Sequence, residues 1–270
     1  MEQIRLDELT ARQLNISVKE AASLIMEGRI WIGNTPADKA GTSVPEDTVL
    51  TCREKAKKYA SRSGYKLEKA LACFGVDPTA QTVCDIGASN GGFTDCLLQS
   101  GAAHVFSVDV AYGILAWELR NDERVTVLER TNARNLTPDQ LGGTICDMVT
   151  VDVSFISLKK IYPAIHRILK DGGEVITLIK PQFEAKKHEL GKNGILKDPH
   201  ATLPTLLCDL FTAAAESGLT VCALTVSPIH GTNGNVEYLA HYRHTAAPTA
   251  SDPTVWSAMI DEAMQEKPDM

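Results

Sequence analysis

Val83-Cys84-Asp85-Ile86-Gly87-Ala88-Ser89-Asn90-Gly91-Gly92-Phe93-Thr94 reads as an apolar strand, a glycine-rich loop and the first turn of an amphipathic helix. Glycines in such a loop accept unusual dihedrals and let the backbone approach a ligand. The helix start adds N–H groups that have no partner inside the helix. A dinucleotide fingerprint would need Gly-x-Gly-x-x-Gly. This loop instead runs Gly87-x-Ser89-x-Gly91-Gly92, with Asp85 two residues ahead of the first glycine. A carboxylate there would repel a pyrophosphate and suits a cationic, amino-acid-bearing ligand. Asp85, Gly87, Ser89, Asn90, Gly91, Gly92 and Phe93 are therefore candidate contacts to a nucleoside-type cofactor.

Outward from the loop, strand and helix patterns alternate. Val83–Ala88, Val105–Val110, Val125–Leu128, Met148–Val153, Val175–Ile179, Val221–Val226 and Glu237–Tyr242 read as strands, several of them continuously apolar. Residues 64–74, 92–100, 113–121, 157–169 and 200–217 read as helices. This pattern predicts an α/β fold with a mainly parallel sheet covered on both faces. The second strand ends at Asp109, whose carboxylate can accept ribose hydroxyls. The third runs into Glu129-Arg130-Thr131-Asn132, which places Asn132 among the candidate adenine contacts.

With Asp109 and the strand order, the loop resembles the Asp/Glu-x-Gly-x-Gly-x-Gly loop of S-adenosylmethionine-dependent methyltransferases. Two further strand ends carry charge: Val151-Asp152-Val153-Ser154-Phe155-Ile156 and Ile179-Lys180-Pro181-Gln182-Phe183. Ligands of open α/β sheets bind outside the carboxyl ends of the strands, so Asp152 and Lys180 face the expected site.

These segments resemble the TlyA family. The resemblance also includes Ser61-Arg62-Ser63-Gly64-Tyr65-Lys66-Leu67, Gly191-Lys192-Asn193-Gly194-Ile195-Leu196-Lys197-Asp198-Pro199 and Asn235-Val236-Glu237-Tyr238, and spans roughly residues 4–244. TlyA proteins join a small RNA-binding domain, of the type in ribosomal small-subunit protein four, to an FtsJ-like methyltransferase. The resemblance implies a Rossmann-like seven-stranded methyltransferase sheet and a small N-terminal α+β domain. It implies methylation of the ribose 2′-hydroxyl at cytidines of ribosomal RNA. It also implies a catalytic tetrad of Lys66, Asp152, Lys180 and Glu237. A ribose hydroxyl is a poor nucleophile until deprotonated, and a lysine serves as base when desolvation or a nearby cation favours its neutral form. In this reading Lys180 is the base, Lys66 tunes it, Glu237 orients a lysine, and Asp152 lies between the methyl donor and Lys180. The chemistry requires no metal.

Residues 1–50 read as two short helices, around Leu6–Leu14 and after Ser17, followed by a strand at 29–32, a Gly33-Asn34 turn and a returning strand from Ser43 to Leu50. This stretch resembles the small RNA-binding domain through Arg5-Leu6-Asp7, Ala21-Ala22-Ser23-Leu24-Ile25 and Gly28-Arg29-Ile30. It departs from the usual pattern at Val18, where an arginine commonly follows the serine. Residues 1–59 carry nine basic and nine acidic side chains, so phosphate contact shifts toward the stripe of residues 53–69. The expected RNA contacts are Arg5, Lys19, Arg29, Arg53, Lys55, Lys57, Lys58 and Arg62. Three segments result: 1–59, an RNA-binding domain with basic linker; 60–245, the methyltransferase; and 246–270, a flexible acidic tail with one short helix near 254–265.

The net charge of −7 argues against nucleic-acid binding overall, but electrostatic footprints are local. Seven scattered cysteines without Cys-x-x-Cys read as small core residues of a reducing cytoplasm rather than a zinc site. No run of 18 apolar residues predicts a membrane span, which weighs against a membrane-active haemolysin. An inactive RNA-binding relative conflicts with an intact tetrad. A small-molecule methyltransferase leaves the N-terminal module without a role.

Overall fold

The computed structural model describes residues 3–26, 28–37, 39–53, 58–192, 194–231, 234–245 and 253–268. The chain divides into two compact units, Met1–Lys58 and Tyr59–Met270.

In the small unit, helices Leu6–Leu14 and Val18–Met26 pack over a core of Leu6, Leu9, Ile25, Ile30 and Val44. Ser17 and Glu20 cap the second helix reciprocally: Glu20 N donates to Ser17 Oγ at 3.2 Å and Ser17 N to Glu20 Oε2 at 2.9 Å. This satisfies two backbone donors that the helix itself leaves open. The expected strand from Ser43 to Leu50 is instead two strands. Ser43–Pro45 pairs antiparallel with Gln3–Arg5, and Leu50–Cys52 pairs with Ile30–Ile32, which also pairs with Thr35–Pro36. Pro45 cannot donate to a ladder, and a turn closed by Thr48 N to Pro45 O at 3.0 Å separates the halves.

The large unit holds seven strands: β1 (Thr82–Ile86), β2 (His104–Val108), β3 (Val125–Leu128), β4 (Cys146–Val151), β5 (Leu169–Ile179), β6 (Leu219–Val226) and β7 (Tyr238–His244). They lie in the order β6-β7-β5-β4-β1-β2-β3, with β7 antiparallel to both neighbours and the remaining pairs parallel. Alternate residues of the central strands β1, β4 and β5 enter different apolar clusters. Cys84, Val149 and Val175 belong to one, and Val83, Met148 and Ile176 to the other. A sheet buried on both faces explains why its strands read as unbroken apolar runs.

Helices α1 (Ser63–Phe74) and α2 (Gly92–Gln99) pack together through Leu67, Ala70, Phe93 and Leu97. The helix expected over 157–169 is divided into a tight turn at Leu158–Lys160 and α3 (Tyr162–Ile168). Pro163 lies in the first turn of α3, where its missing N–H costs nothing. The helix expected over 113–121 shrinks to Trp117–Arg120, because Gly113 turns the chain at φ +74° and Ala116 is extended. The long helix α4 (Pro199–Glu216) is capped by Asp198, whose Oδ1 accepts from Ala201 N at 3.1 Å.

The expected flexible tail contains helix α5 (Pro253–Gln265), with Trp256, Ile260 and Ala263 buried in the core. Their spacing puts all three on one helical face. Cys84, Cys96 and Cys146 are core residues, whereas Cys52, Cys73 and Cys222 are exposed, and all seven cysteines are free thiols.

Candidate active site

The carboxyl ends of β1, β2, β3 and β4 surround a cavity of about 350 Å³. Gly87, directly after β1, has φ +84°, and a Cβ there would meet the Asp152 carbonyl oxygen at 2.3 Å. Only glycine fits that position. Gly91 is favoured by its backbone at φ +93°, while the atom nearest to a Cβ there, Leu119 Cδ1 at 2.2 Å, is the end of a flexible side chain. Ser89 and Phe155 also line the cavity and take left-handed backbone, at φ +50° and +62°. Such strain in non-glycine residues concentrates at binding sites.

Of the candidate cofactor contacts, Gly87, Ser89, Asp109 and Asn132 line this cavity. Asp109 Oδ2 accepts from Ser89 N and Oδ1 from Ala111 N, both at 2.8 Å. Each carboxylate oxygen keeps a further lone pair for a ligand hydroxyl. Asn132 Oδ1 accepts from Arg134 N and Nε, both at 3.2 Å.

The other five candidates support the cavity rather than line it. Asp85 is fully buried within β1, where Thr94 Oγ1 donates to Oδ2 at 2.7 Å and Thr150 Oγ1 to Oδ1 at 2.9 Å. Burial pushes its carboxyl up to about 7 despite those hydroxyls, with the charge of Asp152 adding to the rise. The expected direct contact of Asp85 with a cationic ligand is therefore not what the fold provides. Asn90 Nδ2 donates to Ile114 O at 3.2 Å, tying the loop to the cavity rim. Gly91 packs on Leu119, Gly92 on the hydroxyls of Ser61 and Ser63, and Phe93 in the core. The cavity also uses Val110, Ile114, Thr131, Arg134 and Ser154, which the motif reading does not single out. Their signal is only their position just after the strand ends.

The four candidate catalytic residues form two ion pairs. Lys66, on α1, donates from Nζ to Glu237 Oε2 at 2.5 Å. Lys180 Nζ lies 2.6 Å from Asp152 Oδ1 and donates a hydrogen bond to Ser154 Oγ at 2.9 Å. Sheet register brings the pairs together. Ile179, the last residue of β5, pairs with Tyr238, the first of β7, so Lys180 follows and Glu237 precedes the same terminal pair. Asp152 N donates to Ile86 O at 2.9 Å, continuing the β4–β1 ladder to the cavity mouth. The four side chains are between 3% and 15% exposed. Two neighbouring ion pairs this far from water add little to stability, because desolvation offsets their attraction. Such an arrangement suits proton handling beside a ligand.

Glu184, in the Lys180–Glu184 motif, accepts from Leu158 N at 2.8 Å, and burial pushes its carboxyl above the usual range. It joins the β5 end to the turn after β4.

In the small unit, Arg29 and Arg53 lie side by side at the ends of paired strands, just before Ile30 and just after Cys52: Arg53 N donates to Arg29 O at 2.7 Å, and the Arg53 guanidinium stacks over Trp31 at 3.9 Å. Arg5 is held by Asp7 at 2.6 Å, while Lys19 and Lys58 are exposed. In the large unit, Arg62 is exposed just before the start of α1. Lys55 and Lys57 lie outside the described residues. Among the described residues, no group of three His, Cys, Asp or Glu side chains could hold a metal, and no helix is long and apolar enough to cross a membrane.

Comparison with known proteins places this geometry. The FtsJ-like methyltransferase family matches residues 59–244. The chain belongs to that family. Within it the chain groups with the TlyA proteins. It is 43% identical to the 16S/23S rRNA (cytidine-2′-O)-methyltransferase TlyA of Mycobacterium tuberculosis, over 87% of this chain and 88% of that protein. It is 36% identical to Hemolysin A of Brachyspira hyodysenteriae, over 88% of this chain and 99% of that one. The solved structure of a protein described as a hemolysin from Streptococcus thermophilus superposes with a TM-score of 0.73 at 38% identity. That match covers 98% of this chain and 97% of the other. The match of the FtsJ-like family takes in the cavity and both ion pairs, since Lys66, Asp152, Lys180 and Glu237 all fall inside it.

Proposed function

We propose that the chain transfers a methyl group from S-adenosylmethionine to the ribose 2′-hydroxyl of a cytidine in ribosomal RNA. The observation that carries this reading is the double role of Asp152, which lines the cavity and forms the half-buried ion pair with Lys180. The target class follows the TlyA relatives.

The cavity residues fit the cofactor. Asp109 offers lone pairs to ribose hydroxyls, Gly87 admits close backbone approach, Asn132 flanks the far wall, and Asp152 presents negative charge toward a cationic centre. When bound, S-adenosylmethionine supplies a methyl group on positively charged sulfur. Lys180, after releasing one ammonium proton to solvent, takes the proton from the ribose hydroxyl through its neutral amine, whose direction Asp152 and Ser154 fix. Lys66, held by Glu237, stands as the second cation. Holding the hydroxyl in line supplies much of the acceleration.

The small unit serves as the RNA-binding domain of the type in ribosomal small-subunit protein four. Arg29 and Arg53 meet phosphate there, and Trp31 offers a stacking face. Arg5, Lys19, Lys58 and Arg62 are the further basic residues that meet RNA. Seven free thiols suit a reducing cytoplasm, where the ribosome is the partner.

The test is methyl incorporation into bacterial ribosomal subunits from labelled donor, with mapping of the modified riboses. Wild-type protein should label a small number of cytidine 2′-positions, and Lys180→Ala none of them. Absence of labelling by wild-type protein that still binds the subunits would overturn the proposal.

A further inference from the structure

We infer that Glu266, just past the C-terminal helix α5, is a positioning residue for the proposed reaction, acting through the helix that carries Lys66. The inference rests on the assignment of Lys66 to the reaction. Helix α5 lies beyond the residues matched by the FtsJ-like family. Apolar burial anchors it: Trp256 meets Phe211 edge to face at 5.6 Å, and Ile260 and Ala263 are each 1% exposed. Fixed in this way, its end delivers one carboxylate to two separate elements.

Glu266 Oε2 accepts from Thr225 Oγ1 at 2.6 Å and from Val226 N at 3.2 Å, both at the end of β6. The same oxygen lies 3.9 Å from Lys69 Nζ on α1. Lys69 follows Lys66 by three residues, so the two share one face of the helix. Strand β6 pairs with β7, whose first residue, Tyr238, follows Glu237. Glu266 thus braces α1 and the β6–β7 edge, the two elements that the Lys66–Glu237 pair spans. Its side chain also borders a cavity of about 210 Å³ lined by Pro181, Val236 and Tyr238, the immediate neighbours of Lys180 and Glu237.

Stability alone does not account for this carboxylate. The Lys69–Glu266 pair is partly solvated and long, a class of ion pair that contributes little to folding, and α5 is already held by its buried apolar face. What the carboxylate adds is a fixed distance between α1 and the sheet.

The test uses the full-length protein in four forms, Glu266→Ala, Glu266→Gln, Lys69→Met and the Glu266→Gln/Lys69→Met double variant. Methyl incorporation into ribosomal subunits and thermal unfolding are measured on each. The expected result is a kcat about three- to tenfold lower in each single variant, the scale of a sub-ångström misplacement, with the KM for the cofactor within about twofold because the cofactor cavity is untouched. The double variant should fall no further than the singles, as coupled partners do. Wild-type kcat in Glu266→Gln and Lys69→Met would overturn the inference. So would losses that multiply in the double variant, or losses that only track a lower Tm. If Glu266→Ala folds poorly, Glu266→Gln still decides, because it can keep the bonds to Thr225 and Val226. A Lys66→Met control with full turnover would instead remove Lys66 from the reaction, a separate failure.

Discussion

Lys180 follows and Glu237 precedes the terminal cross-strand pair Ile179–Tyr238 of β5 and β7, yet each is ion-paired elsewhere, Lys180 with Asp152 and Glu237 with Lys66. Two opposite charges thus stand at the adjoining ends of paired strands, each with a different partner. Lys180 is drawn toward Asp152, which lines the cavity, while Lys66 is held by Glu237 on the neighbouring strand. The base of the proposed reaction is the lysine on the cavity side. Lys180→Ala should lower kcat by at least about a hundredfold, the usual contribution of a positioned base. Lys180→Arg should fail as well, since a guanidinium stays protonated. Single-turnover methylation, with cofactor binding followed by calorimetry, checks this; bound cofactor with full turnover in either variant would remove Lys180 from the role.

The Lys66–Glu237 pair separates stability from activity. Removing one member strands a buried charge, which costs about 3–5 kcal/mol. Lys66→Met and Glu237→Gln should therefore lower the urea midpoint as well as activity. A Lys66→Met/Glu237→Leu double variant should recover most of the lost stability, because apolar pairs commonly replace buried ion pairs without penalty. It should not recover methylation. Denaturant titration beside the incorporation assay tests both halves.

Much of this is legible in the amino-acid sequence. The apolar strands stand out because both sheet faces are buried, and the charged residues that follow Val151 and Ile179 stand out because each ends such a run. Asp85 is harder. In a strand buried on both sides no polar alternation tells which way a side chain points, and Asp85 turns into the protein toward Thr94 and Thr150. The ion pairing of Lys66 with Glu237 spans 171 residues and leaves no local trace beyond the motif match. Helix α5 does leave one, in the spacing of Trp256, Ile260 and Ala263, but the Ala-Ala-Pro-Thr-Ala-Ser-Asp-Pro stretch before it obscures the apolar face.

The burial of Asp85 sets a pH dependence. Its carboxyl titrates at about 7 in the fold and at 3.8 in the unfolded chain. Between those values the folded protein binds the extra proton, so this group's contribution is complete below pH 3.8 and is lost as pH rises through 7. Asp85→Asn removes the titration while retaining groups for both threonine hydroxyls. Wild type should lose on the order of 2–4 kcal/mol more stability than Asp85→Asn between about pH 4.5 and pH 8. Urea midpoints across that range measure it, and parallel curves would show that Asp85 is ionised in the fold throughout.

The tight packing at Gly87 ties the loop to the catalytic strand. A methyl group there would press on the Asp152 carbonyl and would also hold alanine at positive φ. Gly87→Ala should cost about 1–3 kcal/mol from backbone strain. It should weaken cofactor binding more than Asn90→Ala does, because relief requires Asp152 to move. Equilibrium binding of labelled cofactor to both variants makes the comparison, and equal affinities would mean the loop relaxes without disturbing Asp152.

RNA affinity should follow the small unit's arginines. Arg29 and Arg53 flank the paired strands Ile30–Ile32 and Leu50–Cys52 and are joined by the Arg53 N to Arg29 O bond, with Arg53 exposed and Arg29 partly exposed. Replacing both by alanine should reduce the slope of log affinity against log salt by about 1–2, roughly one unit for each phosphate that is no longer neutralised. Turnover at saturating RNA should change little, since neither residue belongs to the methyltransferase unit. Filter binding to ribosomal RNA over a range of salt gives the slope. An unchanged slope would move phosphate recognition away from these two strands and onto the basic residues near the start of α1.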